Sequence, residues 1–269
     1  TCTAALLDPY VDAGGAGAPG HAHGRDHRGL SFVDPVALAE HVTRLDAAGL
    51  QVHFHTIGDR AVREVLDALQ AAREANGWTD NRHHLAHIQV IHPDDVPRFR
   101  RLGAGANAQP LWAAHEPQMN ELTIPVLGPE RAAWQYPFAD LAHDGAALAF
   151  GSDWPVSSPD PLWGMHVALN RTLPAGAAGF DAAAPAFLPA QRLDLPTALR
   201  AAIQGAAYLN HLDHETGSIT VGRSADLVVL DRDLFETGSG ALAEARVLLT
   251  LVEGRPVFAS PDLHTAGGS

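Results

Sequence analysis

The sequence predicts an α/β fold organised as half of a (β/α)8 TIM-type barrel, followed by a smaller antiparallel β unit. Three observations carry that prediction. Strand-like and helix-like runs alternate strictly between Asp34 and Pro155, the signature of parallel strands joined by crossover helices. The strand-like runs centre near residues 53, 87, 107 and 149, four where a closed barrel needs eight over about 250 residues. Past residue 213 the pattern turns to strand–turn–strand segments of antiparallel type. The expected boundaries are a loop segment at 1–33, the half barrel at 34–212, antiparallel strands at 213–259 and a disordered tail at 260–269.

Residues 1–33 show no period and are rich in turn-forming residues. They contain a G-x-G-x-x-G at Gly15, Gly17 and Gly20. A dinucleotide loop needs a strand before such glycines and a helix after them; here Pro19 and a His-rich loop follow, so nucleotide binding is set aside. His21 and His23 have metal-binding chemistry, but their glycine-rich surroundings favour a mobile or tag-like segment.

From Asp34 the elements follow in turn. DPVALAEHVTRLDAAG reads as an amphipathic helix closed by Gly49, and LQVHFHTIG as a β-branched and aromatic strand. Asp59 is placed to cap the helix RAVREVLDALQAAREANG, whose Val62, Val65, Leu66 and Leu69 recur at helical spacing. RHHLAHIQVI is the second strand, PDDVPRFRRLG the next helix and GAGANAQPLW a weaker strand. A long segment with Pro125, Pro129 and Trp134 leads to the helix PFADLAHDG and the strand GAALAFGSDWP. Asp160 to about Pro189 reads as loop, and LPTALRAAIQGAAYLN as a helix. GSITVGRSADLVVLD and RVLLTLVEGRPVF supply the antiparallel strands.

Composition narrows the chemistry. The 269 residues are 46% hydrophobic, enough for a sizeable core. A net charge of -13 argues against a nucleic-acid partner. No apolar run approaches the ~18 residues of a membrane span, so no membrane partner is expected. A lone cysteine, Cys2, excludes an internal disulfide and a thiolate zinc cluster. Lysine is absent, which removes Schiff-base catalysis, a P-loop lysine and a lysine-carbamate metal bridge. The free cysteine and the lack of a signal-peptide pattern make the expected location cytoplasmic.

Three polar residues fall at the C-terminal ends of the expected parallel strands, where α/β barrels carry catalytic groups: His55, His87 and Asp153. Imidazole and carboxylate suit Zn²⁺ or a similar divalent ion. An aspartate beside such an ion can take a proton from activated water. Each residue also has an ordinary reading, as one of 16 histidines on the surface or in the core, or as an aspartate capping the turn after Gly151-Ser152. Spacing leaves both readings open. His53 alternates with His55, so both face the barrel interior. His83 and His87 have the spacing of a helical metal pair, but the glutamate of H-E-x-x-H is missing and the β-branched run after His87 favours strand.

The motifs TCTAALLDPY, VHFHTIGDRAV, RHHLAHIQVIHPDDVPRF, FGSDWPVSSPDPLWGMHVALNR and GSITVGRSADLVVLD stand in that order along the chain. In the same order they resemble motifs of the amidohydrolase superfamily, specifically amidohydrolase family 3 with its YtcJ-like and N-substituted formamide deformylase-like hydrolases. The resemblance runs nearly end to end and implies that the four strands are strands 5–8 of the barrel, and that the antiparallel strands at 213–259 are part of a small β-sandwich domain. It implies His55, His87 and Asp153 as ligands of a divalent metal, with Zn²⁺ the expected ion and Asp153 the general base. The activity it implies is hydrolysis of a C–N bond (amide, N-formyl or N-acyl, or cyclic amide) in a small-molecule substrate, through a metal-activated water. His53, Gln109, Trp112 and Trp154 flank strand ends and are expected on the substrate-binding wall, with core packing the alternative for the two tryptophans.

The departures from the family set the remaining expectations. Its first-strand H-x-H and fourth-strand lysine normally precede the segment that TCTAALLDPY resembles, and Ala86 stands where many members have Glu. The expected partner is therefore the missing N-terminal half of the same protein, or a second subunit. A half barrel leaves open strand edges and an uncovered apolar face, which such a partner would cover. The alternatives are an inactive or incomplete fragment, and a deaminase or phosphoester hydrolase of the same superfamily.

Overall fold

A computed structural model describes residues 2–11 and 26–264. Gly15, Gly17, Gly20, His21 and His23 lie outside the described residues, as does 265–269 of the expected tail.

Four strands, β1 (His53–Thr56), β2 (His84–His87), β3 (Gly105–Ala108) and β4 (Ala147–Phe150), form one sheet in the order β1-β2-β3-β4. All neighbouring pairs are parallel. The crossovers contain helices: α2 (Asp59–Asn76) joins β1 to β2, and α3 (Val96–Leu102) joins β2 to β3. Before β1 lies α1 (Pro35–Ala47), whose first turn is capped by Asp34 accepting from the Val36 and Ala37 N–H groups. The α/β fold with a parallel sheet is thus as the alternation predicts.

The core sits on one face of this sheet. Along β1, Phe54 and Thr56 are buried while His53 and His55 are exposed. Val62, Val65, Leu66 and Leu69 of α2 are buried in the same cluster as Phe54, Leu85 and Phe99. Each such side chain contributes roughly 1.5–3 kcal/mol by leaving water. Gly58 opens the β1–α2 turn at φ +104, and a Cβ there would run into the Ala5 carbonyl. That close approach seats the N-terminal segment, whose Ala5 N–H donates to the Ile57 carbonyl at 3.0 Å.

Several elements differ from the sequence reading. Asp59 is the first helical residue of α2 rather than its cap; it is buried and accepts the Leu7 N–H at 2.9 Å. The span after Asp160 contains a helix, Pro161–Asn170, that was expected to be loop. Leu162, Met165, His166, Val167, Ala168 and Leu169 are all buried there, so the helix is apolar around most of its circumference and shows no single stripe. Residues 217–222 form no strand, since Gly217 and Gly222 take positive φ and the segment turns between them. The second sheet is β5 (Leu227–Leu230), β6 (Val247–Val252) and β7 (Arg255–Ala259), antiparallel and in that order. Pro261–His264 is a 3-10 turn rather than part of a disordered tail; Arg246 reaches Asp262 at 2.8 Å and holds it to the sheet.

A buried polar knot fixes α1 and α2 to β2. Asp46, 1% exposed, accepts from Asn76 at 2.9 Å, from Asn81 at 2.8 Å, from His83 Nε2 at 2.9 Å and from Thr79. These bonds hold its carboxyl well below the usual range against the opposing effect of burial. The Val52 N–H donates to His83 Nδ1 at 3.0 Å, which fixes His83 as the Nε2–H tautomer that donates to Asp46.

Candidate metal centre

The strand ends bring His55 and His87 together. Their rings lie 4.3 Å apart, centroid to centroid, at 68°. Register makes this contact notable. His55 pairs with Ala86 and Thr56 with His87, so regular alternation would set His87 on the face of buried Thr56, opposite His55. His87 and the following Ile88 instead take φ of +69° and +44°. Such angles are uncommon for non-glycine residues and costly for a β-branched one, so the surroundings must enforce them. They re-aim the imidazole at the very end of β2.

The Ile88 N–H closes this turn on the Ala86 carbonyl at 2.9 Å, and Gln109, just past β3, supports it from the side. Gln109 is 4% exposed, and its Oε1 accepts the His87 N–H at 2.8 Å. Its Nε2 reaches Asn107 Oδ1 at 3.4 Å. A Cβ at Gly151 would sit 3.1 Å from Asn107 Oδ1, so the Asn107–Gln109 pair also underlies the β4 turn. Gln109 was expected on the substrate wall; its amide is spent on positioning His87. Asn107, which the sequence does not single out, occupies the register row of His55 and Ala86.

His87 is electrostatically tuned. Burial lowers its pKa first, His55 and His53 lower it further, and Asp153 opposes them. The neutral imidazole is therefore favoured, the form that ligates a metal. Its Nδ1 is buried and has no hydrogen-bond partner. Buried polar nitrogens are normally satisfied, so this orphan fits a site that expects a ligand.

Asp153 lies in the turn after β4 at φ +57° and is exposed. Its carbonyl accepts the Val156 N–H at 2.8 Å, and Ser152 Oγ accepts the Trp154 N–H at 3.2 Å. The Asp153 carboxylate makes no hydrogen bond or ion pair among the described residues, so capping does not account for it. Its field reaches His87, yet no three His, Cys, Asp or Glu side chains among the described residues stand close enough to grip one ion. The expected three-residue set is thus a close histidine pair with an aspartate nearby.

Of the other expected wall residues, Trp112 is half-buried, 6.1 Å from the His87 ring, and its Nε1 is buried without a partner. Trp154 is 68% exposed, which removes core packing as its explanation. His53 is exposed beside His55, and its Nδ1 lies 2.8 Å from His84 Nε2. No described helix is long and apolar enough to cross a membrane.

Comparison with known proteins identifies the family. Protein LONG AFTER FAR-RED 3 of Arabidopsis thaliana is 35% identical over 231 residues, covering 86% of this chain and 38% of its own length. The N-substituted formamide deformylase of Arthrobacter pascens is 25% identical, over 86% of this chain and 40% of its own. A crystal structure of an uncharacterized metal-dependent hydrolase from Pyrococcus horikoshii OT3 superposes with a TM-score of 0.68 at 25% identity, over 89% of this chain and 43% of that one. The chain spans about two fifths of the length of these relatives. The amidohydrolase family profile matches residues 2–258. The chain belongs to the amidohydrolase family.

Proposed function

We propose that this chain carries the metal-ligand portion of a metal-dependent hydrolase that cleaves a C–N bond in an amide, N-formyl, N-acyl or cyclic amide substrate. The observation that carries the reading is the His55–His87 pair at the strand ends, with one buried nitrogen left unpartnered. The deformylase relative supports the choice of bond. Two imidazoles suit Zn²⁺, which takes four ligands or three plus water. Asp153 is the carboxylate whose field reaches His87, and it would join the pair only by standing closer than it does here.

An ion held there would polarise the substrate carbonyl and acidify the attacking water. The protein's own residues do the rest. Asp153, unengaged and exposed at the turn, takes the water's proton and returns it to the leaving nitrogen. Gln109 holds His87 in its re-aimed conformation. His53, Trp112 and Trp154 border the space in which a small substrate sits. Assaying N-formyl amines against aminopurines with added Zn²⁺ tests the reaction class. Formate release from the first panel is expected; ammonia release from the second alone would establish deamination instead.

A second reading concerns assembly. The exposed His53 and His55 row, and the β1 and β4 edges of the sheet, fit strands 5–8 of a barrel completed by an N-terminal half or a second subunit. Native mass spectrometry checks this, with a complex expected. A well-folded monomer that turns over substrate unaided would contradict it.

A further inference from the structure

His84 begins β2 and pairs in register with His53 at the start of β1. Its Nδ1 lies 3.2 Å from the Arg82 carbonyl. A carbonyl can only accept, so Nδ1 carries the proton. In the neutral form Nε2 is then a bare acceptor. Burial favours that neutral form. Since His53 Nδ1 stands 2.8 Å from His84 Nε2, His53 must be the donor there. The two rings meet edge to face, 4.8 Å apart. In neutral His53 this leaves Nε2 without a proton.

The anchor of this relay is rigid. Arg82 sits at φ +54°, and its guanidinium is tied to Asp80 and Asp213 and stacks on Tyr208 at 4.2 Å. Its carbonyl also accepts from Gln51 Nε2 at 2.8 Å. The relay therefore runs from a fixed carbonyl, through His84, to a histidine on the exposed sheet face beside His55, close enough for its charge to act on His87.

We propose that His84 is a positioning residue that locks His53 as the Nδ1–H tautomer, leaving its bare Nε2 as an acceptor for a hydrogen-bond donor of the substrate. The proposal rests on the hydrolase reading for the role of Nε2, and on geometry for the tautomer. A histidine's second nitrogen is commonly set in this way by the bond its first nitrogen makes.

Long-range ¹H–¹⁵N correlation spectra of the metal-free protein at mildly alkaline pH test the idea, with the His53 signals assigned by their loss in His53→Gln. The expected pattern is a protonated Nδ1 and a bare Nε2. In His84→Leu the proton should redistribute toward Nε2, and in His84→Gln, whose carbonyl can accept, the original pattern should return. Turnover should follow: kcat/KM down about tenfold or more in His84→Leu, by the scale of lost outer-shell partners, and recovered in His84→Gln. A protonated Nε2 in the unaltered protein, or a pattern indifferent to His84→Leu, would overturn the proposal. Failure of the protein to bind Zn²⁺ or to hydrolyse amides, with the tautomer as expected, would strike the hydrolase reading and with it the role of Nε2, while the lock itself would stand.

Discussion

His87 meets His55 because its backbone leaves the strand conformation: the rings are 4.3 Å apart, yet register alone would put them on opposite faces of the sheet. The positive φ at His87 accompanies the Gln109 bond to its N–H, and together they mark the strand end where the two rings meet.

Removing that bond should therefore loosen the pair. Gln109→Ala leaves the His87 N–H without its partner, which costs about 1–3 kcal/mol where the group stays dry. Zn²⁺ affinity should fall about 10- to 100-fold, as for other lost outer-shell contacts. Isothermal titration with Zn²⁺ and urea unfolding measure the two effects. Gln109→Glu, which keeps an acceptor, should retain more affinity than the alanine variant.

In the proposed site, His55→Ala and His87→Ala each remove one of the two imidazoles. Each should reduce Zn²⁺ affinity by at least the roughly 100-fold upper end seen for outer-shell losses. Because the two share one site, the double variant should lose little more than either single one. Titration calorimetry on the set checks this, and independent, additive losses would argue for separate sites.

Asp46 predicts a purely structural effect. Asp46→Ala strips the acceptor from Asn76, Thr79, Asn81 and His83 in a buried setting. A loss of about 3 kcal/mol or more is expected, given the strength of hydrogen bonds to charged groups. Urea unfolding should show it. Per-molecule Zn²⁺ binding by the fraction that remains folded should be unchanged.

Acid should weaken the fold well before carboxylates titrate. Burial lowers the pKa of His83 and of His166, so both stay neutral in the folded state at pH values where the unfolded chain takes up protons. Their contribution is complete above the ordinary histidine pKa of about 6.5 and is lost progressively as pH falls below it toward the lowered values. Urea midpoints should therefore be constant from about pH 8 to 7 and lower near pH 5.5. A midpoint that rises on acidification would contradict this.

Much of the fold is legible because β1 to β4 alternate with helices that begin or end at identifiable signals, such as Asp34 at the start of α1 and Gly103 at the end of α3. The helix Pro161–Asn170 is hidden because nearly every face of it is buried, so no polar stripe marks its period. In the candidate site, His55, His87 and Asp153 are singled out by their place at strand ends, and the structure brings the two histidines together. The facing of His87 cannot be read in that way, since it depends on a positive-φ turn closed by the Ile88 N–H and met by Gln109 from 22 residues away. His84 escapes notice for a related reason: its value lies in a tautomer set by the Arg82 carbonyl.

The most direct test is crystallographic. Crystals grown or soaked with Zn²⁺ should give an anomalous peak about 2.0–2.1 Å from one nitrogen of His55 and one of His87. Bound ions with no peak between these rings, or peaks confined to other histidines, would contradict the account.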